Sequence, residues 1–200
     1  MPNAPRTELH RRNYIESQLA DSAETKKKMA ELCTPSILKA ADALIAAFKG
    51  KRKVLLCGNG GSAADSQHIA TEFVIQLNNK NRPALAAIAL TTDTSNLTAG
   101  ANDLGFDRVF ERSVEALGVE GDVLIALSTS GNSQNVNNAI QKAKEKGMKV
   151  IGLLGKGGGR SRELVDIAVV VPSDDTQRVQ EGHITIGHIF CGLVEQELFG

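Results

Sequence analysis

The chain has 200 residues, 42% hydrophobic and 23% charged, which suits one globular α/β domain with added helices. Acidic and basic residues balance at 23 each, with a pI near 6.9, so no partnership with nucleic acid or an anionic membrane is expected. Cys33, Cys57 and Cys191 are odd in number, widely spaced and without a CxxC pair, which argues against a disulfide framework and for a reducing cytoplasm.

The polar segment Met1–Arg12 lacks the apolar core of a signal peptide, and no apolar run is long enough to span a membrane. The first fifty residues read as helical. Ile15, Leu19, Met29, Leu32 and Cys33 form a loose stripe, and Thr34-Pro35 predicts a break with Thr34 as N-cap. The helix over 35–48 places Ile37, Leu38, Ala41, Leu44, Ile45 and Phe48 at a 3.6-residue period. Two helices exceed what a minimal α/β core needs, so this extension is expected to pack against other subunits.

From Lys53 the period changes. Val54–Cys57 predicts a buried strand, followed by a helix over 62–77. Strands are then expected at 84–90, 122–127, 149–154 and 167–171. Helices fall between them at 94–117 and 133–147, a flexible glycine-rich loop at 155–159, and a last helix at 176–198. This alternation predicts a doubly wound parallel five-stranded sheet flanked by helices, in one domain over 1–200 with 1–50 as its helical extension.

Two segments directly follow strands, where such folds bind ligands. Gly58-Asn59-Gly60-Gly61-Ser62 lets the backbone approach an anion at a helix start. Ser128-Thr129-Ser130-Gly131-Asn132-Ser133 offers hydroxyls and backbone N–H groups suited to a phosphate monoester. Such residues also make ordinary turns and caps, but both loops follow buried strands of one small sheet. Gly58, Gly60 and Ala63 fit a relaxed dinucleotide fingerprint, yet the acidic residue it requires after the second strand comes late, at Asp93.

His68 and Glu72 stand four apart on one helical face, a spacing that serves a metal, acid–base chemistry or a plain surface pair. In the last helix, Gln180 and His188 are eight residues apart, a rise of about 12 Å. They reach one ion only from either side of it, and His183 competes on a partly different face. Gly182, Gly187 and Gly192 each cost this helix about 1 kcal/mol against alanine, which close packing would explain.

Cys57-Gly-Asn-Gly-Gly-Ser62, His68-x-x-x-Glu72, Ala101-Asn-Asp103, Gly121-Asp-Val-Leu124, Ser128-Thr-Ser-Gly-Asn-Ser133 and Gln180-Glu-x-His183, in this order, resemble the phosphoheptose isomerases, members of the SIS (sugar isomerase) fold. The resemblance runs from about residue 15 to the end. It implies conversion of sedoheptulose 7-phosphate to D-glycero-D-manno-heptose 7-phosphate through an enediol, for lipopolysaccharide core or surface-glycan heptose. It also implies a cytoplasmic homotetramer. Carried over by position, Asn59, Gly60, Gly61, Ser62, Glu72, Asn102, Asp103, Ser128, Thr129, Ser130, Ser133 and Gln180 are expected to touch substrate. His68, Glu72, Gln180 and His188 are expected to hold one Zn2+ per subunit, with Glu72 and His188 as the acid–base pair. Here the resemblance, not the spacing, selects His188 over His183. One departure is Ile75-Gln76-Leu77, where the family reads Gly-Arg and an aromatic residue; Lys80 and Arg82 are the nearest cations. A non-catalytic SIS relative that binds the replication initiator DnaA is the alternative; it shares both loops but lacks counterparts of Glu72 and His188.

Overall fold

The computed structural model describes residues 7–200; residues 1–6, part of the expected N-terminal extension, lie outside the described residues. Two helices, α1 (Glu8–Leu32) and α2 (Thr34–Lys49), are separated by Cys33 alone. Thr34 does not cap α2. Its hydroxyl donates back to the Ala30 carbonyl at 2.6 Å, and Cys33 takes the cap position with Pro35 in the first turn. The core is β1 (Val54–Cys57), α3 (Gly61–Val74), β2 (Ala87–Ala89), α4 (Thr94–Leu104), α5 (Val109–Leu117), β3 (Val123–Ser128), α6 (Gln134–Glu145), β4 (Lys149–Leu154), α7 (Ser161–Leu164), β5 (Ile167–Val170) and α8 (Thr176–Phe199).

The five strands are parallel in the order β2-β1-β3-β4-β5. The order reverses between β1 and β3, so the loops after these two strands flank the crevice where doubly wound sheets take ligands. Alternate residues feed two cores. Val54, Leu56, Ile125, Leu127 and Leu153 join Leu44, Ile69, Phe73, Ile186 and Phe190 on one face, under α2, α3 and α8. Leu55, Leu124, Ala126 and Val150 join Phe110, Val114, Val136 and Ile140 on the other, under α5 and α6. β1 and β3 are buried throughout, as continuous apolar runs predict for a sheet covered on both faces.

The expected helical stretch 94–117 is two helices parted at residues 105–108, and the boundaries of β2 and α3 depart most from expectation. β2 keeps only three of the seven residues expected, because at the sheet edge it pairs with β1 alone. α3 stops at Val74 rather than Leu77, because the N–H groups of Leu77, Asn78 and Asn79 turn away to the Glu195 carboxylate.

Candidate active site

The first phosphate loop leaves β1 through Gly58 and turns at Gly60, whose φ of 57° is left-handed backbone that favours glycine. α3 starts there without a side-chain cap; the N–H groups of Ser62 and Ala63 donate to the Asn59 and Gly60 carbonyls, which leaves the Gly61 N–H for a ligand. Ser62 is buried, while Gly60 and Gly61 are exposed. A side chain at Gly61 would collide with the Gln180 amide, so α8 meets this loop at close range.

The second loop is tightly bound to itself and to its neighbours. Ser128 Oγ accepts from the Gly131 N–H at 3.1 Å and lies 3.3 Å from Ser133 Oγ. Ser133 is the N-cap of α6, yet its hydroxyl makes no cap bond and stays available to a ligand. Thr129 and Ser130 are half-buried beside it. The glycine-rich segment 155–159, expected as a flexible loop, contains a short turn at Lys156–Gly158. The turn packs against the second loop, and just after it Ser161, at the start of α7, donates to the Gly131 carbonyl from both N and Oγ, at 2.8 Å each. The Arg160 N–H donates to Asn132 Oδ1 at 3.0 Å. Gly131 has a φ of 65°, and a side chain there would strike the Gly158 carbonyl.

Asn135, which the sequence reading missed, joins the two loops. Asn59 Nδ2 donates to Asn135 Oδ1 at 2.8 Å, and Asn135 Nδ2 donates to Asn59 Oδ1 at 2.9 Å. The Asn59 side chain is thus engaged in holding the loops together. Its buried partner stands 76 residues away, so no local motif announces the pair. Asn102 and Asp103 lie exposed at the end of α4, where Asn102 Nδ2 donates to Asp103 Oδ1 at 2.7 Å.

Beyond the loops, α3 and α8 run side by side and bring three donors together. His68 Nε2 lies 3.2 Å from Glu72 Oε1 and 3.2 Å from His188 Nε2. The three ligand atoms all lie within 4.8 Å of one another. Two imidazole nitrogens facing each other beside a carboxylate oxygen form a donor set that suits a divalent cation. His183 is excluded from this cluster. It is fully buried on α8, and burial pulls its pKa down to about 4 despite the nearby Leu154 carbonyl. Asp65, one turn before His68, has one buried carboxylate oxygen without a partner. Burial raises its pKa to about 6, against the pull of His68. Arg82 cannot stand in for the cation absent at Gln76, because its side chain is fully buried on Glu195.

Two glycine- and serine-rich loops at the switch point of a parallel sheet, with a metal-type triad on the neighbouring helices, fit the SIS class of sugar-phosphate proteins, and the SIS domain profile matches residues 17–155. The chain is 54% identical to the phosphoheptose isomerase of Clostridium acetobutylicum over 191 residues, 94% of this chain and 97% of that one. The structure of phosphoheptose isomerase from Neisseria gonorrhoeae superposes with a TM-score of 0.87 at 41% identity, covering 92% of this chain and 98% of that one. A phosphoheptose isomerase from Francisella tularensis gives 0.90 at 37% identity, with 96% and 100% covered. The chain belongs to the SIS domain family, among its phosphoheptose isomerases.

Proposed function

We propose that this enzyme interconverts sedoheptulose 7-phosphate and D-glycero-D-manno-heptose 7-phosphate, supplying heptose for lipopolysaccharide core or surface glycans. The observation that carries this reading is the convergence of His68, Glu72 and His188 between α3 and α8, the helix α3 itself starting from the first of the two loops. The phosphate is held by Ser128, Thr129, Ser130 and Ser133, together with the uncapped starts of α3 and α6. Asn59, Gly60, Gly61 and Ser62 line the opposite wall, with Asn102, Asp103 and Gln180 as further substrate contacts.

Anchoring the phosphate sets C1 and C2 of the sugar toward the triad. Glu72 takes the C1 proton while an acid protonates the C2 oxygen, giving the enediol. The proton then returns to C2 and the C1 hydroxyl loses its own, which leaves the aldehyde. Glu72 Oε1 is the oxygen beside His68, which leaves Oε2 for the substrate. His188 serves the oxygens as the second acid–base group.

The donor set fits a metal, and His68, Glu72, His188 and Gln180 would hold one Zn2+ per subunit. When bound, such an ion supplies Lewis-acid stabilisation of the developing oxyanion.

Turnover of sedoheptulose 7-phosphate, followed before and after chelation, tests the assignment. Chelation is expected to abolish turnover, and readdition of Zn2+ to restore it. Glu72→Gln is expected to lower kcat by at least about 10²-fold; near-normal turnover with metal retained would sink the role given to Glu72. Nothing in the comparisons supports the DnaA-binding alternative.

The reading includes a cytoplasmic homotetramer with no nucleic-acid or membrane partner. Support comes from three free, buried thiols, from the balanced charge, and from Leu9, Tyr14, Ile15 and Leu19 exposed along α1. Among the described residues, no helix is long and apolar enough to cross a membrane.

A further inference from the structure

One buried ion pair outside the triad reaches into it. The Arg82 and Glu195 side chains are 0% and 5% exposed, and Arg82 Nε donates to Glu195 Oε1 at 2.6 Å. The rest of the Arg82 guanidinium is spent on two carbonyls. Nη1 donates to Pro83 at 2.9 Å, and Nη2 donates at 2.6 Å to the main-chain carbonyl of Glu72. Glu195 in turn accepts from the N–H groups of Leu77, Asn78 and Asn79 at 2.9, 2.9 and 3.2 Å. Burial works to raise the Glu195 pKa, but the guanidinium and the three N–H groups outweigh it and hold it at about 2.

The location matters more than the strength. The Glu72 carbonyl lies in the last turn of α3, where helical carbonyls lack an intrahelical partner. Arg82 supplies that partner. Glu195 lies seven residues after His188 on α8, two helical turns further along. One ion pair therefore ties the main chain of Glu72 to the helix that carries His188. A buried ion pair is a poor device for stability alone, because desolvation offsets the Coulombic gain. It is a good device for fixing one arrangement of two helices.

We propose that Arg82 and Glu195 are positioning residues for the triad: they set α3 against α8 so that His68 and Glu72 face His188. This inference rests on the metal reading above. Its test has its own control, Asp122, another buried carboxylate, which accepts from Lys53 Nζ at 2.5 Å just before the central strand β3 and touches neither α3 nor α8 through a hydrogen bond.

Zn2+ affinity is measured by competition with a chromophoric chelator, and ligand geometry from the visible spectrum of Co2+-loaded protein. Glu195→Gln is expected to weaken Zn2+ binding about 10- to 100-fold and to shift the Co2+ bands, while Asp122→Asn does neither. Zn2+ affinity in Glu195→Gln within about twofold of the parent with an unchanged Co2+ spectrum overturns the proposal, as does an equal loss in Asp122→Asn. If Glu195→Gln does not fold, the double variant Arg82→Met/Glu195→Leu leaves no lone buried charge, and the same readouts decide. A parent protein that binds neither ion overturns the metal reading itself, a result separable from either outcome in the variants.

Discussion

Asn135 and His183 show how burial decides what a polar side chain does. Asn135 exchanges two amide hydrogen bonds with Asn59 and so ties the two loops together. Asn135→Ala removes both. At a net 0.5–1.5 kcal/mol each, KM for the sugar phosphate is expected to rise about tenfold with kcat little changed, which steady-state kinetics will check. His183 is neutral and sealed from solvent, with a folded pKa of about 4. In the unfolded chain it takes a proton near pH 6.5. Its contribution is therefore fully present above pH 6.5 and is lost as pH falls toward 4, with a slope of up to about 1.4 kcal/mol per pH unit. Urea midpoints measured between pH 7 and pH 4 are expected to fall, and His183→Leu is expected to flatten that fall. Sequence left His183 and His188 as rivals, because both sit on one helix within five residues. The structure separates them by which side of α8 meets the core and which meets α3.

At the scale of elements, the triad is a contact between two helices. The three glycines of α8 play different parts in it. A methyl at Gly187 would lie 2.5 Å from Ile69 Cγ1, a buried, branched side chain with little room to yield. A methyl at Gly182 would lie 2.8 Å from Val171. Gly192 meets nothing nearer than Leu77 Cδ2 at 3.9 Å. Gly187→Ala is therefore expected to destabilise the fold by about 1–3 kcal/mol through overpacking, and to weaken Zn2+ binding because it parts α3 from α8. Gly192→Ala is expected to be neutral, or stabilising by up to about 1 kcal/mol. Thermal melts with and without Zn2+ distinguish the two. The sequence could flag these glycines as costly, but not which of them faces a helix, since that depends on how α8 rolls against the core. The strands were more legible: β1 and β4 lie where their apolar runs predict. Edge strand β2 was overread because its alanines look alike whether paired or not.

For the whole molecule, the sheet order places both phosphate loops at the switch point, and these were legible as glycine- and serine-rich runs after buried strands. The links between them were not legible. Asn59 and Asn135 are 76 residues apart, and Arg82 and Glu195 are 113 apart, so neither pair has a local signature. The proposed tetramer belongs to this scale too. α1 buries only Thr25 and Met29 and exposes Leu9, Tyr14, Ile15 and Leu19. If partner subunits cover it, the double variant Ile15→Lys/Leu19→Lys is expected to reduce the mass seen by sedimentation while leaving the monomer fold intact by circular dichroism. An unchanged mass would remove α1 from the interface.

His68 and His188 stand 120 residues apart in the chain and 3.2 Å apart in space. A contact of that sequence separation forms late, after the intervening chain has paid the entropy of closing its loop. The loops after β1 and β3 need only those strands and the helices that follow them, but the triad needs α3 and α8, far apart in the chain. If the triad holds a cation, its binding is thus a measure of completed folding: a chain that has assembled β1 and β3 already has both loops, while the triad waits for α8 to dock.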